Sequence, residues 1–359
     1  MSIHFEQLSI KDIRKETSDC VSIAFEIPLH LKEQFQFTQG QYITLRTTID
    51  GEEVRRSYSI CSSPLDNELR VAVKKVPNGV FSTYANEQLK KSDVIDVMPP
   101  MGKFFVPLNP GNKKQYVGFA AGSGITPLLS IIKTTLLTEP GSQFTLIYGN
   151  QNRHSIIFRE TLEALKNKYM DRFRLIHILS REQTDTDLNT GRIDAVKCNT
   201  LFEKIIDITR TDDFFLCGPE EMIFSVKKEL ENKQVDKQKI HFELFTSPGQ
   251  ELKNKTVQQN NTSDQPKSKI TVKLDGISFD FDLEKNGPAI LDAALRKGAD
   301  LPYACKGGVC CTCRAKLIEG EVDMEVNYGL EPEEIEQGFI LTCQSHPRSE
   351  KIVVDFDAK

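Results

Sequence analysis

Four cysteines lie within nine residues of the segment "PYACKGGVCCTC", Pro302 to Cys313. Cys305, Cys310 and Cys313 follow the spacing C-x4-C-x2-C, and after 29 intervening residues comes Cys343 in "LTCQS". This is the ligand spacing of a plant-type [2Fe-2S] cluster. Two irons that share two sulfides take four thiolates, so the spacing predicts these four cysteines as ligands and leaves Cys311 outside the set.

Two other uses of such cysteines compete with the cluster. Structural zinc also takes four thiolates, but its ligands usually come as two C-x2-C pairs, whereas three of these cysteines share one loop. A disulfide framework is disfavoured by the odd total of nine cysteines. The start of the chain, "MSIHFEQLSI", also lacks the charged and then apolar segments of a secretory signal. The pattern therefore favours an iron–sulfur cluster in a cytoplasmic protein.

Length and charge restrict the remaining classes. A chain of 359 residues is too long for one ordinary core, so two or three domains are expected. The net charge of -5 comes without a basic run that would suit a nucleic-acid backbone. The sequence contains no run of about 18 apolar residues, so it predicts no membrane span. We therefore expect neither nucleic acid nor membrane as a partner.

The cysteine loop sits in a segment with its own secondary-structure pattern. "KITVKLDGISFDFDL" predicts two strands that turn at Asp275-Gly276, and "GPAILDAALRKG" predicts a helix from near Pro288 to Gly298. "EKIVVDFD" predicts a last strand. The segment resembles the β-grasp fold of plant-type ferredoxins over residues 269–359. It carries 11 basic and 17 acidic side chains, which suits either a basic docking partner or a solvated surface.

Three further regions precede this segment. Residues 246–268 are polar and without apolar periodicity, which predicts a flexible linker. Residues 1–110 contain short alternating segments such as "QYITLRTTI" and "LRVAVKKV", the pattern of a small antiparallel β-barrel. Residues 111–245 alternate apolar strands with helical stretches, which predicts a doubly wound α/β domain with a parallel sheet.

The barrel region carries two motifs suited to a flat cofactor with phosphates. In "EVRRSYSICSSP", Arg56 and Tyr58 share one face of a strand, where a guanidinium can pair with a diphosphate and a phenol can stack on a ring. Ser59 points the other way. In "VPNGVFSTYANEQL" we predict a turn at Asn78-Gly79 and a helix capped by Ser82, whose free N–H groups suit a phosphate. The first motif alone is equally typical of an ordinary strand with one arginine.

Together with "PPMGKF", these segments resemble the flavin-binding barrel of the ferredoxin–NADP reductase family. The resemblance implies that the barrel binds FAD and that Ser59 takes part in catalysis. Plant-type members end in an aromatic residue that covers the flavin, whereas this chain continues, so Phe245 is expected in that role. The implied flavin contacts are Arg56, Ser57, Tyr58, Ser59, Val73, Lys74, Gly79, Val80, Phe81, Ser82, Thr126 and Phe245.

The α/β region carries a turn suited to a dinucleotide. "VGFAAGSGITPLLS" predicts a strand, the turn Gly122-Ser123-Gly124 and a helix opened by Thr126-Pro127. Glycines let the backbone approach a diphosphate, and the helix N-terminus faces it. Any tight strand-to-helix turn can need glycine, but this one stands at the carboxyl end of the first parallel strand, where ligands bind in such sheets.

Two later strand ends complete the expected dinucleotide site. "LSREQ" places Ser180 and Arg181 after one strand, and "FFLCGPEEM" ends another with Cys217. A surface Ser-Arg pair and a buried cysteine without a role are the ordinary interpretations. In the resembling family these motifs clamp the 2'-phosphate of NADPH and place a catalytic thiol beside the nicotinamide. The implied NADPH contacts are Gly122, Ser123, Gly124, Thr126, Pro127, Arg153, Ser180, Arg181, Cys217, Gly218 and Pro219.

The three regions together predict an electron-transfer function. NADPH gives up electrons in pairs and a [2Fe-2S] cluster accepts one, so a flavin is needed between them. No histidine pair or paired carboxylates accompany the motifs, so we expect no acid or base in this transfer. The domain order resembles the reductase components of multicomponent oxygenases.

Within that group, "VNYGLEPEEIEQGFILTCQ" and the cysteine loop resemble the reductase subunits of phenylacetyl-CoA epoxidases. The resemblance implies a di-iron oxygenase of phenylacetate degradation as the partner that accepts the electrons. Two alternatives stay open. One is a reductase for a different oxygenase, hydroxylase or hybrid-cluster protein, and the other is a redox-sensing module.

Overall fold

The computed structural model describes residues 4–245 and 266–358. Most of the expected linker lies outside the described residues, and its last two positions, 267 and 268, belong to a strand. The described residues form two compact units. One contains residues 7–54 and 58–245, and the other contains residues 266–358 together with the short pieces 4–6 and 55–57.

The N-terminal part of the larger unit is a six-stranded sheet in the order β4-β3-β6-β1-β2-β5. Strand pairs β1–β2, β2–β5 and β3–β6 are antiparallel. A bridge from Ile60 to Val71 joins the chain just after β4 to β5, which closes the sheet into a barrel. The elements are β1 (Glu6–Thr17), β2 (Cys20–Glu26), β3 (Tyr42–Ile49), β4 (Glu52–Ser59), β5 (Leu69–Lys74), α1 (Val80–Glu87) and β6 (Val94–Val97).

The second part of the larger unit is a parallel five-stranded sheet in the order β11-β10-β7-β8-β9. Its neighbouring strands pair in parallel register throughout. The chain runs outward from β7 to β9 and then crosses back to β10 on the other side of β7. The elements are β7 (Gln115–Ala121), α2 (Ile125–Thr138), β8 (Gln143–Asn150), α3 (Arg159–Lys168), β9 (Phe173–Leu179), α4 (Ala195–Lys204), β10 (Asp213–Gly218), α5 (Glu220–Asn232) and β11 (Ile240–Leu244).

A single apolar cluster holds the barrel against this sheet. Barrel-side residues such as Cys61 and Phe104 pack with Leu128 of α2 and Phe215 of β10 in the same buried core. The rings of Phe104 and Phe215 meet edge to face with centroids 5.7 Å apart. Burial of such side chains stabilises the contact by about 2 kcal/mol each, so these two parts form one rigid support for any site between them.

The smaller unit is a mixed sheet in the order β13-β12-β18-β14-β16, with a second two-stranded sheet, β15–β17. The predicted hairpin is confirmed: Asp275 and Gly276 both adopt positive φ between β12 and β13. The elements are β12 (Lys267–Leu274), β13 (Ile277–Glu284), α6 (Ile290–Arg296), β14 (Arg314–Glu319), β15 (Val322–Met324), α7 (Pro332–Glu336), β16 (Phe339–Leu341), β17 (Ser345–Pro347) and β18 (Lys351–Asp355).

The predicted architecture is confirmed, with two local corrections. The helix expected from near Pro288 to Gly298 is α6, two residues shorter at each end. The predicted cap of α1 by Ser82 is wrong, because Gly79 holds the N-cap position and Ser82 lies inside the first turn. Across residues 4–245 and 266–358, no helix combines the length and apolar character needed to cross a membrane.

Candidate functional site

The carboxyl ends of β7 and β10 meet at the point where the strand order reverses. Ligands bind in doubly wound sheets at this switch point. The turn after β7 packs directly on the end of β10, since a Cβ added at Gly124 would lie 2.0 Å from the carbonyl oxygen of Cys217. Gly218 has φ +155 and is closely packed too, with Ala121 N 3.0 Å from a Cβ built there. The structure thus brings the Gly122–Gly124 and Cys217–Gly218 motifs together.

A carboxylate that we did not predict stands next to Cys217. Glu243 on β11 is the register partner of Cys217 on β10. The Ser59 hydroxyl at the end of β4 donates a 2.8 Å hydrogen bond to Glu243 Oε2. Ser59 is buried and Cys217 is fully buried. The two predicted catalytic residues therefore share one place with a single acidic residue, and the expectation that the transfer requires no acid or base stays a prediction.

The surroundings shift the pKa values of this group. Burial raises the pKa of Glu243 from 4.5 to about 7, and the Ser59 hydrogen bond opposes part of that rise. Burial also raises the pKa of the Cys217 thiol well above its usual value, and the nearby Glu243 charge adds to the rise. The thiol therefore stays protonated, while Glu243 can exchange its proton near neutral pH.

On the barrel side of the site, the half-buried ring of Tyr58 packs against buried side chains of the barrel. Tyr58 packs against Phe81 with ring centroids 5.4 Å apart. Phe81 and Val73 lie in the barrel core, so their side chains support the site from behind. Ser82 accepts from Val76 N and donates to the Gly79 carbonyl, both at 3.2 Å. These residues form a firm platform at the N-terminus of α1.

Close contacts make glycine necessary at the start of α1. A Cβ at Gly79 would lie 2.4 Å from Ser82 Oγ and 2.5 Å from Val76 Cγ2. Val80, which follows, is half-exposed, and Lys74 at the end of β5 is half-buried with its Nζ 3.7 Å from Asp19. The role of this helix start as a contact for a flavin phosphate stays a prediction.

The predicted region for the 2'-phosphate lies at the end of β9, two strands away from β7. At a strand spacing of about 4.8 Å, this distance is about 10 Å across the sheet. The Ser180 and Arg181 amides donate to the carbonyls of Asn150 and Gln151 at 2.9 and 2.7 Å. Arg181 is exposed, and the guanidinium of Arg153 forms an ion pair with Glu182.

A further arginine that we did not predict belongs to this region. Gly191 N donates a 2.9 Å hydrogen bond to the Leu179 carbonyl, and Thr190 forms a parallel bridge with Leu179. This contact returns the chain to the end of β9 and sets the exposed Arg192 beside the Ser180-Arg181 segment. The sequence signal was a basic residue directly after a glycine in "NTGRID", which is too common to be selective.

The four predicted cluster cysteines form two pairs in the smaller unit. The sulfurs of Cys305 and Cys310 lie 3.1 Å apart. Cys313 and Cys343 form the second pair, linked by a hydrogen bond between their side chains. Among the described residues, no three histidine, cysteine or acidic side chains are arranged to hold a single metal ion. Two sulfur pairs fit two irons with two thiolates each.

The hydrogen bond within each pair favours the thiolate form of one sulfur, Cys305 or Cys343, and raises the pKa of its partner, Cys310 or Cys313. The bond from Cys310 lowers the pKa of Cys305, and backbone amides of Gly307 and Val309 lower it further. Gly307 N lies 3.3 Å from the Cys305 sulfur. The bond from Cys313 likewise lowers the pKa of Cys343. Amides that stabilise negative sulfur are what a thiolate-bound cluster requires.

Glycines let a second segment cover the cysteine loop. Gly308 has φ +72, and a Cβ there would lie 2.8 Å from the Val326 carbonyl oxygen. A Cβ at Gly329 would lie 2.6 Å from the Cys310 carbonyl oxygen, and Gly329 N donates to the Gly308 carbonyl at 2.8 Å. The loop and this segment therefore support each other through backbone contacts.

Family models match all three parts of the chain. The model of the oxidoreductase FAD-binding domain matches residues 7–106. The oxidoreductase NAD-binding domain matches residues 119–228, and the 2Fe-2S iron-sulfur cluster binding domain matches residues 272–348. Fold and site thus define an oxidoreductase of the flavin and iron–sulfur electron-transfer class, with FAD, NAD(P)H and a [2Fe-2S] cluster as its cofactors.

Similar proteins place the chain within this class. It is 45% identical to a component of the 1,2-phenylacetyl-CoA epoxidase of Escherichia coli (strain K12), over 99% of this chain and 98% of that protein. It is 31% identical to the ferredoxin reductase component of 3-ketosteroid-9-alpha-monooxygenase from Rhodococcus rhodochrous, over 97% and 96% of the two chains. The chain belongs to the family of oxygenase reductase components that includes this phenylacetyl-CoA epoxidase component.

A solved structure supports the fold. Phthalate dioxygenase reductase, described as a modular structure for electron transfer from pyridine nucleotides to [2Fe-2S], matches with a TM-score of 0.58. Identity is 23%, and the match covers 98% of each chain. The same order of a barrel, a parallel α/β domain and a ferredoxin-like domain is therefore found at low sequence identity.

Proposed function

We propose that this chain is the NADPH-dependent reductase component of a phenylacetyl-CoA epoxidase and that it delivers electrons to the di-iron oxygenase of that complex. The observation that carries the proposal is the 45% identity to the Escherichia coli epoxidase component, which spans almost the full length of both proteins. At 31%, the identity to the ketosteroid monooxygenase component is lower. That enzyme class is the second candidate for the partner.

We assign the contact with the reacting rings to Ser59 and Cys217. FAD, when bound, takes electrons from NADPH in pairs and releases them singly to the cluster. Cys217 stays neutral as a thiol because it is buried beside Glu243. Glu243 accepts the Ser59 hydrogen bond and so orients that hydroxyl. The remaining flavin contacts predicted from the sequence are supported by the packing of the half-buried Tyr58 ring on Phe81.

We propose NADPH as the preferred dinucleotide. Arg181 and Arg192 are exposed at the end of β9. Their guanidinium groups can pair there with the negatively charged 2'-phosphate of NADPH. Arg153 contributes less to this charge, because its guanidinium is already paired with Glu182. The diphosphate is assigned to the Gly122–Gly124 turn and the N-terminus of α2.

We assign Cys305, Cys310, Cys313 and Cys343 as the cluster ligands, with one pair on each iron. We also propose the boundaries 1–110, 111–245 and 269–359 for the three domains, supported by family matches that fall inside each range. A cytoplasmic location is proposed as well. Its support is that none of the nine cysteines, all of them among the described residues, forms a disulfide.

Reconstitution with purified oxygenase subunits tests the function. The chain, NADPH and the oxygenase subunits of a phenylacetyl-CoA epoxidase should convert phenylacetyl-CoA to its epoxide, measured by mass spectrometry. A 3-ketosteroid oxygenase component should receive electrons at least tenfold more slowly. Equal or faster support of the steroid reaction would overturn the choice of partner and leave the reductase class intact.

A pair of cysteine variants tests the ligand assignment through cofactor content and electron transfer to artificial acceptors. Cys343→Ser should lose iron and the transfer to cytochrome c, while FAD content and NADPH-to-ferricyanide activity stay unchanged. Cys311→Ser, one position from Cys310 in the loop, is the matched control and should keep all four properties. Retention of iron and cytochrome c reduction in Cys343→Ser would contradict the ligand set.

A further inference from the structure

The proposed diphosphate turn is anchored from below by a buried tyrosine. Tyr148 on β8 has no exposed surface, and its hydroxyl donates a 2.9 Å hydrogen bond to the carbonyl oxygen of Gly122. The same carbonyl accepts the Ile125 amide at the start of α2. A carbonyl oxygen has two lone pairs, so these two bonds satisfy it fully and keep it directed into the protein.

The space around the Gly122 α-carbon is open. Gly122 has φ +54, a conformation open to glycine at little cost, and a Cβ built there would meet only Lys74 Nζ, 3.9 Å away. Gly124, two residues on, is fixed by its contact with Cys217. At Gly122, the restraint that the structure shows on the carbonyl is therefore its pair of hydrogen bonds.

The Tyr148 hydroxyl is a permanent donor. Burial raises its pKa far above the usual range, so it does not ionise at any pH at which the protein is used. The protonated hydroxyl is therefore always available to donate to the Gly122 carbonyl.

We propose that Tyr148 is a positioning residue for dinucleotide affinity. By holding the Gly122 carbonyl inward, it keeps the Ser123 N–H, which belongs to the same peptide group, directed outward, toward the diphosphate. The C=O and N–H of one trans peptide point in opposite directions, so the direction of one determines the direction of the other. The inference rests on the proposed function, in which this turn binds the diphosphate.

Removal of one hydroxyl tests the inference. In the FAD-loaded full-length protein, Tyr148→Phe should raise the dissociation constants of NADP+ and NAD+ by about fivefold, the value expected for one lost neutral hydrogen bond. Both should change by the same factor, because both dinucleotides contain the diphosphate. Binding is measured by isothermal titration calorimetry, without turnover.

Tyr116→Phe is the matched control. Tyr116 is equally buried in the same sheet, and its hydroxyl donates a 2.9 Å bond to Glu139 at the opposite edge. This variant should lose stability to a similar degree and bind both dinucleotides as wild type does. If Tyr148→Phe does not fold, Tyr148→Met replaces it, because it also lacks the donor.

The possible results distinguish a failure of the proposed function from a failure of the positioning role of Tyr148. A wild-type protein that binds neither dinucleotide would overturn the proposed function itself. Wild-type binding with dissociation constants within twofold in the Tyr148 variant would overturn only the positioning role. A loss confined to NADP+ would also overturn it, since it would assign Tyr148 to the 2'-phosphate instead of the diphosphate.

Discussion

Glu243 shows how one residue can link two cofactor regions of the larger unit. It lies beside Cys217 on the neighbouring strand and accepts a hydrogen bond from Ser59, which stands 184 positions earlier in the chain. The bond connects the barrel to the α/β sheet at the proposed meeting place of flavin and nicotinamide. A carboxyl group with a pKa of about 7 in such a place makes the site sensitive to pH.

We predict that Glu243 makes the protein less stable as pH rises from about 5 to 8. The folded carboxyl keeps its proton up to about pH 7, whereas the unfolded one releases it near 4.5, so the unfolded state gains stability across this window. Glu243→Gln should remove about 2 kcal/mol of this pH-dependent loss. The measurement is the free energy of unfolding of the FAD-loaded protein at both pH values. An identical pH dependence in wild type and variant would contradict the raised pKa.

The arginines at the end of β9 should determine the choice between dinucleotides. We predict that Arg181→Ala raises KM for NADPH by about tenfold, or 1.4 kcal/mol, and barely alters KM for NADH. Arg192→Ala should change KM in the same direction. Arg174→Ala, at the amino end of the same strand, is the control and should leave both constants unchanged. An equal rise for both dinucleotides would assign these arginines a different role.

At the scale of elements, the site depends on the close packing of the turn after β7 on β10. Both strands end at the same edge because they are parallel neighbours, with Ala120 opposite Cys217. The helix α2 then starts directly above β10, with no room for a side chain at Gly124. Because β7 and β10 are neighbours in the sheet, residue 124 has to be glycine.

We predict that Gly124→Ala destabilises the larger unit by about 2–3 kcal/mol and weakens NADP+ binding, because the new methyl group must displace the Cys217 backbone. Gly111→Ala is the control, since a Cβ there meets only Asn109 Oδ1 at 3.4 Å. Thermal unfolding and calorimetric titration of both variants check the prediction. Wild-type stability in Gly124→Ala would show that the turn can move away from β10.

Elements with local signals could be predicted from the sequence, and contacts between distant segments could not. The hairpin at Asp275-Gly276, the parallel strands and the cysteine spacing each have a short-range pattern. Glu243 has none, because a single acidic residue in an apolar strand is equally typical of an exposed edge. Arg192 reaches its place only through the bridge from Thr190 to Leu179. The cap of α1 was missed because Asn78, with φ +60, turns the chain into the helix three residues earlier than Ser82.

At the scale of the whole molecule, the described chain consists of two compact units, each with its own buried core. The larger unit contains the proposed dinucleotide site and the proposed flavin contacts from Tyr58 onward, and the smaller unit contains the four cluster cysteines. Hydride acceptance and single-electron delivery are thus assigned to separate folding units.

We predict that a chain ending at residue 250 folds and retains FAD, because the barrel and the parallel sheet share one core. It should reduce ferricyanide with NADPH at the wild-type rate and lose at least 90% of cytochrome c reduction, an estimate of about tenfold that follows from removal of the one-electron centre. Steady-state assays and the flavin absorbance check both points. Loss of FAD from this fragment would show that the smaller unit is required for the barrel to fold.

The amino and carboxyl ends of the strands in the parallel sheet differ in how freely their sequence and length can vary. Every residue assigned to the dinucleotide sits where strands β7, β8, β9 and β10 end, and the Cys217 and Glu243 register pair requires β10 and β11 to keep their alignment. The connections that lead into the strands lie at the amino ends of the strands and carry none of these groups. Insertions and deletions during the divergence of relatives should accumulate in these connections. A tag or reporter domain placed in one of them should leave electron transfer intact.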